Sequence, residues 1–448
     1  MYRYTTRDTA GEETFRRDAP TRLSYTALAA YAFWLYAFGP ALALLRSELG
    51  FSYTLVGVYS ALWSAGAALV GVTFAATARR LRRATLLWWS AAGATAGAGL
   101  FAASRTIALT LLGALVLGLA GTTLLTCTQA ILSDRHGEHR DRALTEANVG
   151  AAACAVLAPL LLGLLPGSSA GWRVAMGVPA LLLGGLYLRY RHQPLPAAPA
   201  GPHRGGRARL PLSCWLLATL VAAGIAVEFC LVYFGAELLT AAGLRTPQAA
   251  TAMTSFYLGI LVGRVGGAWL TRRAGWTVPL LWASLAITAA GFLLSWLAGL
   301  LILVIAGLFL CGLGIANLYP LSLALTLAAA PGNGDIANAR TQLLGGVLVI
   351  AAPYFLGSLA DRLGLHAAFT VEPVLIGVSA LLLLAGLRLT RRPLSGLGLA
   401  AGGARGGFLR TRRGALGPRT RKVAASARTR PRAIPLSGPR SPPRRASR

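Results

Sequence analysis

From Val278 to Ala330 the chain runs for 53 positions without one charged side chain. As a single straight helix, rising about 1.5 Å per residue, that run would be about 80 Å long, whereas a bilayer core of about 30 Å is crossed by about 20 helical residues. It must fold back on itself, and "SWLAG", Ser295 to Gly299, is the expected turn. The whole chain behaves alike, with 55% hydrophobic and 13% charged residues and a mean hydropathy of +0.59. Such a chain cannot clothe a water-soluble surface of this size. The expected class is an all-α integral membrane protein.

Apolar runs of spanning length begin near Leu23, Leu55, Thr85, Ile107, Ala143, Trp172, Leu212, Ala249, Trp276, Gly299, Ile336 and Ala367. Twelve transmembrane helices put both termini on one side. The segments on that side ahead of the tail hold nineteen arginines, and the opposite loops hold five: Arg46, Arg105, Arg173, Arg245 and Arg362. Basic loops stay on the cytoplasmic side, so both termini are expected inside the cell membrane. Residues 1–23 mix acids with five arginines and do not read as a cleavable signal peptide.

A shift of 194 positions brings the two halves into register. "LLWWS" (Leu86 to Ser90) meets "LLWAS" (Leu280 to Ser284), and "APLLLGLL" (Ala158 to Leu165) meets "APYFLGSL" (Ala352 to Leu359). Gly118-Leu119 meets Gly312-Leu313 at the same offset. The organisation expected is a cytoplasmic segment 1–23, a six-helix bundle 24–190, a Pro/Gly/Arg-rich cytoplasmic linker 191–210, a second bundle 211–390, and a tail 391–448. Parallel repeats of this kind place a solute site between the halves near the bilayer midplane.

With these features the chain resembles a twelve-helix transporter of the major facilitator superfamily over roughly Leu23 to Thr390. The loops after helices 2 and 8, "GVTFAATARRLRR" and "GGAWLTRRAG", are similar to that family's G-x-x-x-D-R-x-G-R-R loops, with Arg79 and Arg272 where Asp is frequent. Two features common among family members are altered: Ala114 stands where many carry a membrane-embedded Arg on helix 4. The Gly-Pro signature of drug/proton antiporters survives only as Ala158-Pro159 followed by Gly163. The resemblance implies two pseudo-symmetric six-helix bundles moving a small solute by alternating access, with helices 1, 4, 7 and 10 lining the cavity. A non-transporting receptor or scaffold of the same fold, or a passive uniporter, are the alternatives.

Candidate site residues follow from polar groups on those helices. Glu228 is the one acid read as lying well inside the membrane, where an ionisable group costs about 2.5–3.5 kcal/mol or more at a helix centre unless it meets water or a partner. It is the candidate proton carrier or solute ligand. On helix 4, Thr122, Thr126 and Gln129 share a face; on helix 10, Asn317 and Tyr319 are the candidates; on helix 1, Tyr31 and Trp34 share a face while Tyr36 points elsewhere. Tyr233 is off the Glu228 face. Glu146 and Arg340, repeat equivalents 194 apart, form a candidate inner gate. Arg264, late in helix 8, is expected to snorkel inward with its neighbour arginines or to answer an acid at the helix 2 to 11 junction.

The remaining features exclude other classes. The five cysteines lie in apolar runs with no metal-ligand spacing, so neither a metal site nor any cofactor is expected. "DRHGEHRDR" (Asp134 to Arg142) reads as a solvated connector, and the arginines of "RRLRR" (Arg79 to Arg83) as topology markers touching anionic headgroups. The five histidines lie in loops or at a helix mouth, so no catalytic constellation suggests an enzyme. Of the net charge of +29, the tail carries sixteen basic residues and no acid. It reads as a disordered segment attracted to anionic lipid, without a specific nucleic-acid partner. A monomer is the expected working unit.

Overall fold

The computed structural model of the chain describes residues 15–164, 171–196, 209–271, 275–331 and 333–390. The tail, most of the linker, Arg272 and Arg273 therefore lie outside the described residues. Among the described residues there are helices and turns and no strand. The first half holds α1 (Ala19–Leu49), α2 (Tyr53–Arg80), α3 (Arg83–Ala103), α4 (Ile107–His136), α5 (Arg140–Leu164) and α6 (Gly171–Tyr190). The second holds α7 (Leu212–Ala241), α8 (Thr246–Ala252 and Thr254–Leu270), α9 (Thr277–Leu297), α10 (Leu301–Ile315 and Leu318–Ala328), α11 (Gly334–Leu363) and α12 (Leu365–Ala368 and Val371–Thr390). Among the described residues eleven of these are long and apolar enough to cross a membrane. The twelfth, α8, is divided at Met253 into pieces of 7 and 17 residues.

The uncharged run folds back where expected: α9 ends at Leu297 and α10 starts at Leu301. The duplication is equally regular. The first residues of α3 and α9, α4 and α10, α5 and α11, and α6 and α12 are each 194 apart, and those of α1 and α7 and of α2 and α8 are 193 apart. Packing repeats with the same period. A Cβ on Gly97 would come within 2.6 Å of the Leu117 nitrogen, and one on Gly291, its repeat partner, within 2.4 Å of the Cys311 nitrogen. In lipid no hydrophobic drive pulls helices together, so close backbone approach at small residues supplies the dispersion contact instead.

The face of the bundle that carries the α1–α2 turn at Gly50 is called distal, and the face where α1 begins and α12 ends is called terminal. The two halves meet at the distal face through glycines related by the duplication. Gly163 of α5 packs on Pro247 of α8, and Gly357 of α11 packs on Tyr53 of α2, with added Cβ atoms falling 2.6 and 2.3 Å from the two backbone carbonyl oxygens. The two contacts exchange under the duplication: Gly163 lies 194 positions before Gly357, and Tyr53 lies 194 positions before Pro247. Gly39 closes the centre, since a Cβ there would sit 1.9 Å from the Val232 carbonyl oxygen.

Polar groups lock this seam. The Asp361 carboxylate accepts from the backbone N–H groups of Tyr53 (2.8 Å) and Thr54 (2.7 Å), at the end of α2 where the helix dipole favours an anion. Arg46 of α1 donates to Glu237 of α7 at 3.2 Å and lies 3.7 Å from the centre of the Tyr53 ring. At the terminal face the ion pairs of Asp18, Asp134 and Glu146 stay within the first half. The expected solvated connector is instead bonded: Arg83 of "RRLRR" pairs with Asp134, Arg135 with Asp18 at 2.6 Å, and the buried His136 ring nitrogen shares a 2.8 Å hydrogen bond with Thr21.

Replacing Gly357 by Leu would force α11 off α2 and cost about 1–3 kcal/mol, as overpacking does. We expect a lowered melting temperature and faster thiol labelling at the distal face. Gly99→Ala, with nothing within 4 Å of its Cβ, is the control, and an equal effect of the two would overturn the seam.

Candidate functional site

Burial changes along the helices that line the interface between halves. On α1, residues 37–45 are all buried while Leu35 and Tyr36 are half-buried; on α7, residues 230–239 are all buried while Glu228 and Phe229 are half-buried. Toward the terminal face Arg264, Gln342 and Arg340 are exposed and Gln129, Thr126 and Tyr319 half-buried. The halves are therefore sealed distally and part into a crevice that opens on the terminal face, with Glu228 near its apex.

Arg264 shows how the sequence builds this apex. On α8 the lipid-facing residues Leu258, Val262, Val265 and Trp269 are exposed, and Gly259, Gly263 and Gly267 press on α10. Tyr257 and Arg264, seven residues apart, project within about 20° of each other and about 120° from the lipid stripe. They occupy a third face, toward the crevice. Because α8 runs from the distal to the terminal face, its side chains tilt back toward mid-depth, while those of α1 and α7 tilt the opposite way. The side chains converge.

Arg264 accordingly lies within electrostatic range of both Glu228 and the Tyr36 hydroxyl. The Arg264 guanidinium and the Glu228 carboxylate do not form an ion pair with one another, which leaves a gap between opposite charges. The Tyr36 and Tyr257 rings meet edge to face at 5.2 Å, and the buried Tyr257 hydroxyl has no hydrogen-bond partner. The Phe229 and Tyr233 rings lie tilted to one another with centres 5.8 Å apart on the adjoining surface.

Several sequence-derived candidates are held differently. Trp34 is 0% exposed and donates to the Met176 carbonyl at 2.9 Å, which makes it a bolt between α1 and α6. Asn317 sits at the break in α10 and donates to the Gly263 carbonyl at 3.0 Å, with its amide filling the space over Gly267. Thr126 bonds back to the Thr122 carbonyl at 2.8 Å, as hydroxyls in membrane helices do. Tyr31 is buried beside Thr122 and Trp63. Gln129 and Tyr319 border the crevice, Tyr319 accepting from Gln342 at 3.3 Å. Glu146 is bound by Arg17 (2.8 Å), Arg142 (3.2 Å) and Tyr25 (3.1 Å), so it is not paired with the exposed Arg340 in this conformation.

Two expectations about charge are revised. Arg264 acts on Glu228 and Tyr36 rather than on an acid at the α2–α11 junction, while Arg272 and Arg273 lie outside the described residues. Tyr36 points away from the face shared by Tyr31 and Trp34, as expected, and toward Tyr257 and Arg264. Glu228 is not the only acid inside the membrane, since Glu237 and Glu372 are 6% and 0% exposed. The seven-residue spacing of Tyr257 and Arg264 on a helix with a separate apolar stripe was the available signal for that pair.

Twelve spanning helices in two duplicated six-helix halves, enclosing a charged crevice between them, define a multi-span membrane transport protein. The sequence profile of the Major Facilitator Superfamily matches residues 24–333, and the chain belongs to that family. No curated protein matches the chain. Solved structures agree in fold. A bacterial homologue of the human lysosomal transporter Spinster, inward-facing and occupied, is similar with a TM-score of 0.67 at 16% identity, over 83% of this chain and 96% of its own. A peptide transporter, POT, gives 0.67 at 16% over 86% and 96%, and the nucleoside transporter NupG 0.63 at 14% over 83% and 98%.

The crevice predicts an accessibility pattern. Cysteine at position 264 should react with a charged methanethiosulfonate added at the terminal face and be protected from the distal one, and cysteine at position 34 should react from neither. Equal labelling at 34 and 264 would contradict it.

Proposed function

We propose that this chain is a secondary active transporter that moves a small polar solute by alternating access, coupled to protons at Glu228. The observation that carries this reading is the gap between Glu228 and Arg264: two opposite charges from consecutive spans lie within electrostatic range without forming an ion pair. A solute that presents an acceptor to the Arg264 guanidinium and a donor to Glu228 completes both, and Tyr36 and Tyr257 supply a hydroxyl and ring faces beside it. When no solute bridges the gap, protonation of Glu228 removes the uncompensated charge that burial penalises.

The excess of arginines on the terminal side makes that face cytoplasmic, so the conformation described is open to the cytoplasm and the glycine seam is the outer gate in a cell membrane. In the opposite state the halves rock about the site. Arg340 and Glu146, at equivalent places in the duplication, are then the charges placed to meet, with Arg340 displacing Arg17 or Arg142. The basic residues 391–448 would rest on anionic lipid.

The test begins with a screen of small solutes for thermal stabilisation of the purified protein, since a binder of the native state raises its melting temperature. Arg264→Gln should abolish the shift given by the best binder. In proteoliposomes Glu228→Gln should keep exchange of that solute but lose its accumulation driven by a pH gradient. Undiminished gradient-driven accumulation by Glu228→Gln would remove the coupling role.

A further inference from the structure

Glu372 stands apart from the crevice. It is the second residue of the main α12 segment, 0% exposed, and neither carboxylate oxygen has a hydrogen-bond partner. α12 packs against α7 and α9. The polar groups acting together with the carboxylate are the buried thiols of Cys230 on α7 and Cys311 on α10, and α9 contributes no titratable residue. Among the described residues no cation acts on it. A carboxylate ion in that position would be uncompensated, whereas the neutral acid carries no charge to solvate.

The duplicated architecture does not require an acid here. Val178-Pro179 on α6 is the repeat equivalent of Glu372-Pro373, so an aliphatic residue serves at the corresponding place in the first half. Glu372 is also mechanically tied to the outer gate. Cys230 lies two residues before Val232, whose carbonyl meets Gly39 at the seam. Asp361, which caps α2, lies in the last turn of α11, eleven residues before Glu372. α7 and the end of α11 thus both take part in the distal seam, and α7 packs directly on α12.

We propose that Glu372 is a proton-binding site of the conformational cycle, separate from the solute crevice: it holds a proton in the distal-closed state and releases it to distal water when the seam opens. The carboxylic acid becomes carboxylate and free proton, with no other reactant. Since the closed state binds this proton more tightly, low pH favours closure and rising pH favours opening, by up to about tenfold in the open-to-closed ratio per pH unit for one linked proton.

The experiment needs no solute, so its outcome is independent of whether Glu228 couples protons to transport. Full-length protein with Arg105→Cys and Gly299→Cys, on distal loops of opposite halves, is spin-labelled in nanodiscs with Cys154 replaced by Ala, the other four cysteines being buried. Raising the pH should transfer population to a longer distance, and Glu372→Gln should hold the short distance across the range. In parallel, dicyclohexylcarbodiimide, which attacks protonated carboxyls in apolar surroundings, should modify Glu372 of the unsubstituted chain at neutral pH, as mapped by mass spectrometry. A pH response absent from the parent or undiminished in Glu372→Gln, or a Glu372 left unmodified by the reagent, would overturn the proposal. The labelling arm decides the matter even if Glu372→Gln fails to fold.

Discussion

Backbone-to-backbone contact at glycine organises this molecule. A helix in hydrocarbon satisfies its own hydrogen bonds, so what joins one helix to the next must be surface fit, and the closest fit comes where a side chain is missing. Gly97 and Gly113 knit α3 to α4, Gly291 and Gly307 knit α9 to α10, and Gly163 and Gly357 join the halves. The last two are the contacts on which everything functional rests. They close the bundle at one end only, and the crevice is what remains where no such contact is made.

That one-sided closure explains the electrostatics. Distal to the seam, Arg46, Glu237 and Asp361 are engaged with partners across it, so their charges strengthen closure. Proximal to it, Glu228 and Arg264 come from neighbouring helices, converge through the opposite tilts of their side chains, and remain unsatisfied by each other. Opposite charges held apart at the apex of a wet cleft are an arrangement suited to a bridging solute. Glu372, by contrast, is fully buried without a hydrogen-bond partner among the described residues, and its position behind α7 ties its proton to the state of the seam.

Much of the architecture was legible before any coordinates. The helix starts fall within four residues of the apolar runs, because hydrocarbon thickness sets the length of each span and charge ends it. The match of "APLLLGLL" with "APYFLGSL" contained Gly163 and Gly357, so the repeat signal was in part the seam itself. Helix faces were less legible. Trp34 and Asn317 look like ligands in a list of polar membrane residues, yet each is absorbed by a carbonyl that belongs to a distant helix, Met176 in one case and Gly263 in the other. Tyr36 and Arg264 look misdirected until they are seen to meet each other beside Tyr257.

Sequence alone determined the solvent of this chain, the number of its spans and their duplication, since these follow from local hydrophobicity, length and periodicity. Tertiary structure decided which polar groups are free. Glu228, Glu237 and Glu372 are all acids in apolar runs, but one is half-buried within range of Arg264, one is paired with Arg46, and one is sealed without a partner among the described residues. The difference arises from which helix packs opposite each acid, and no local pattern encodes that neighbour.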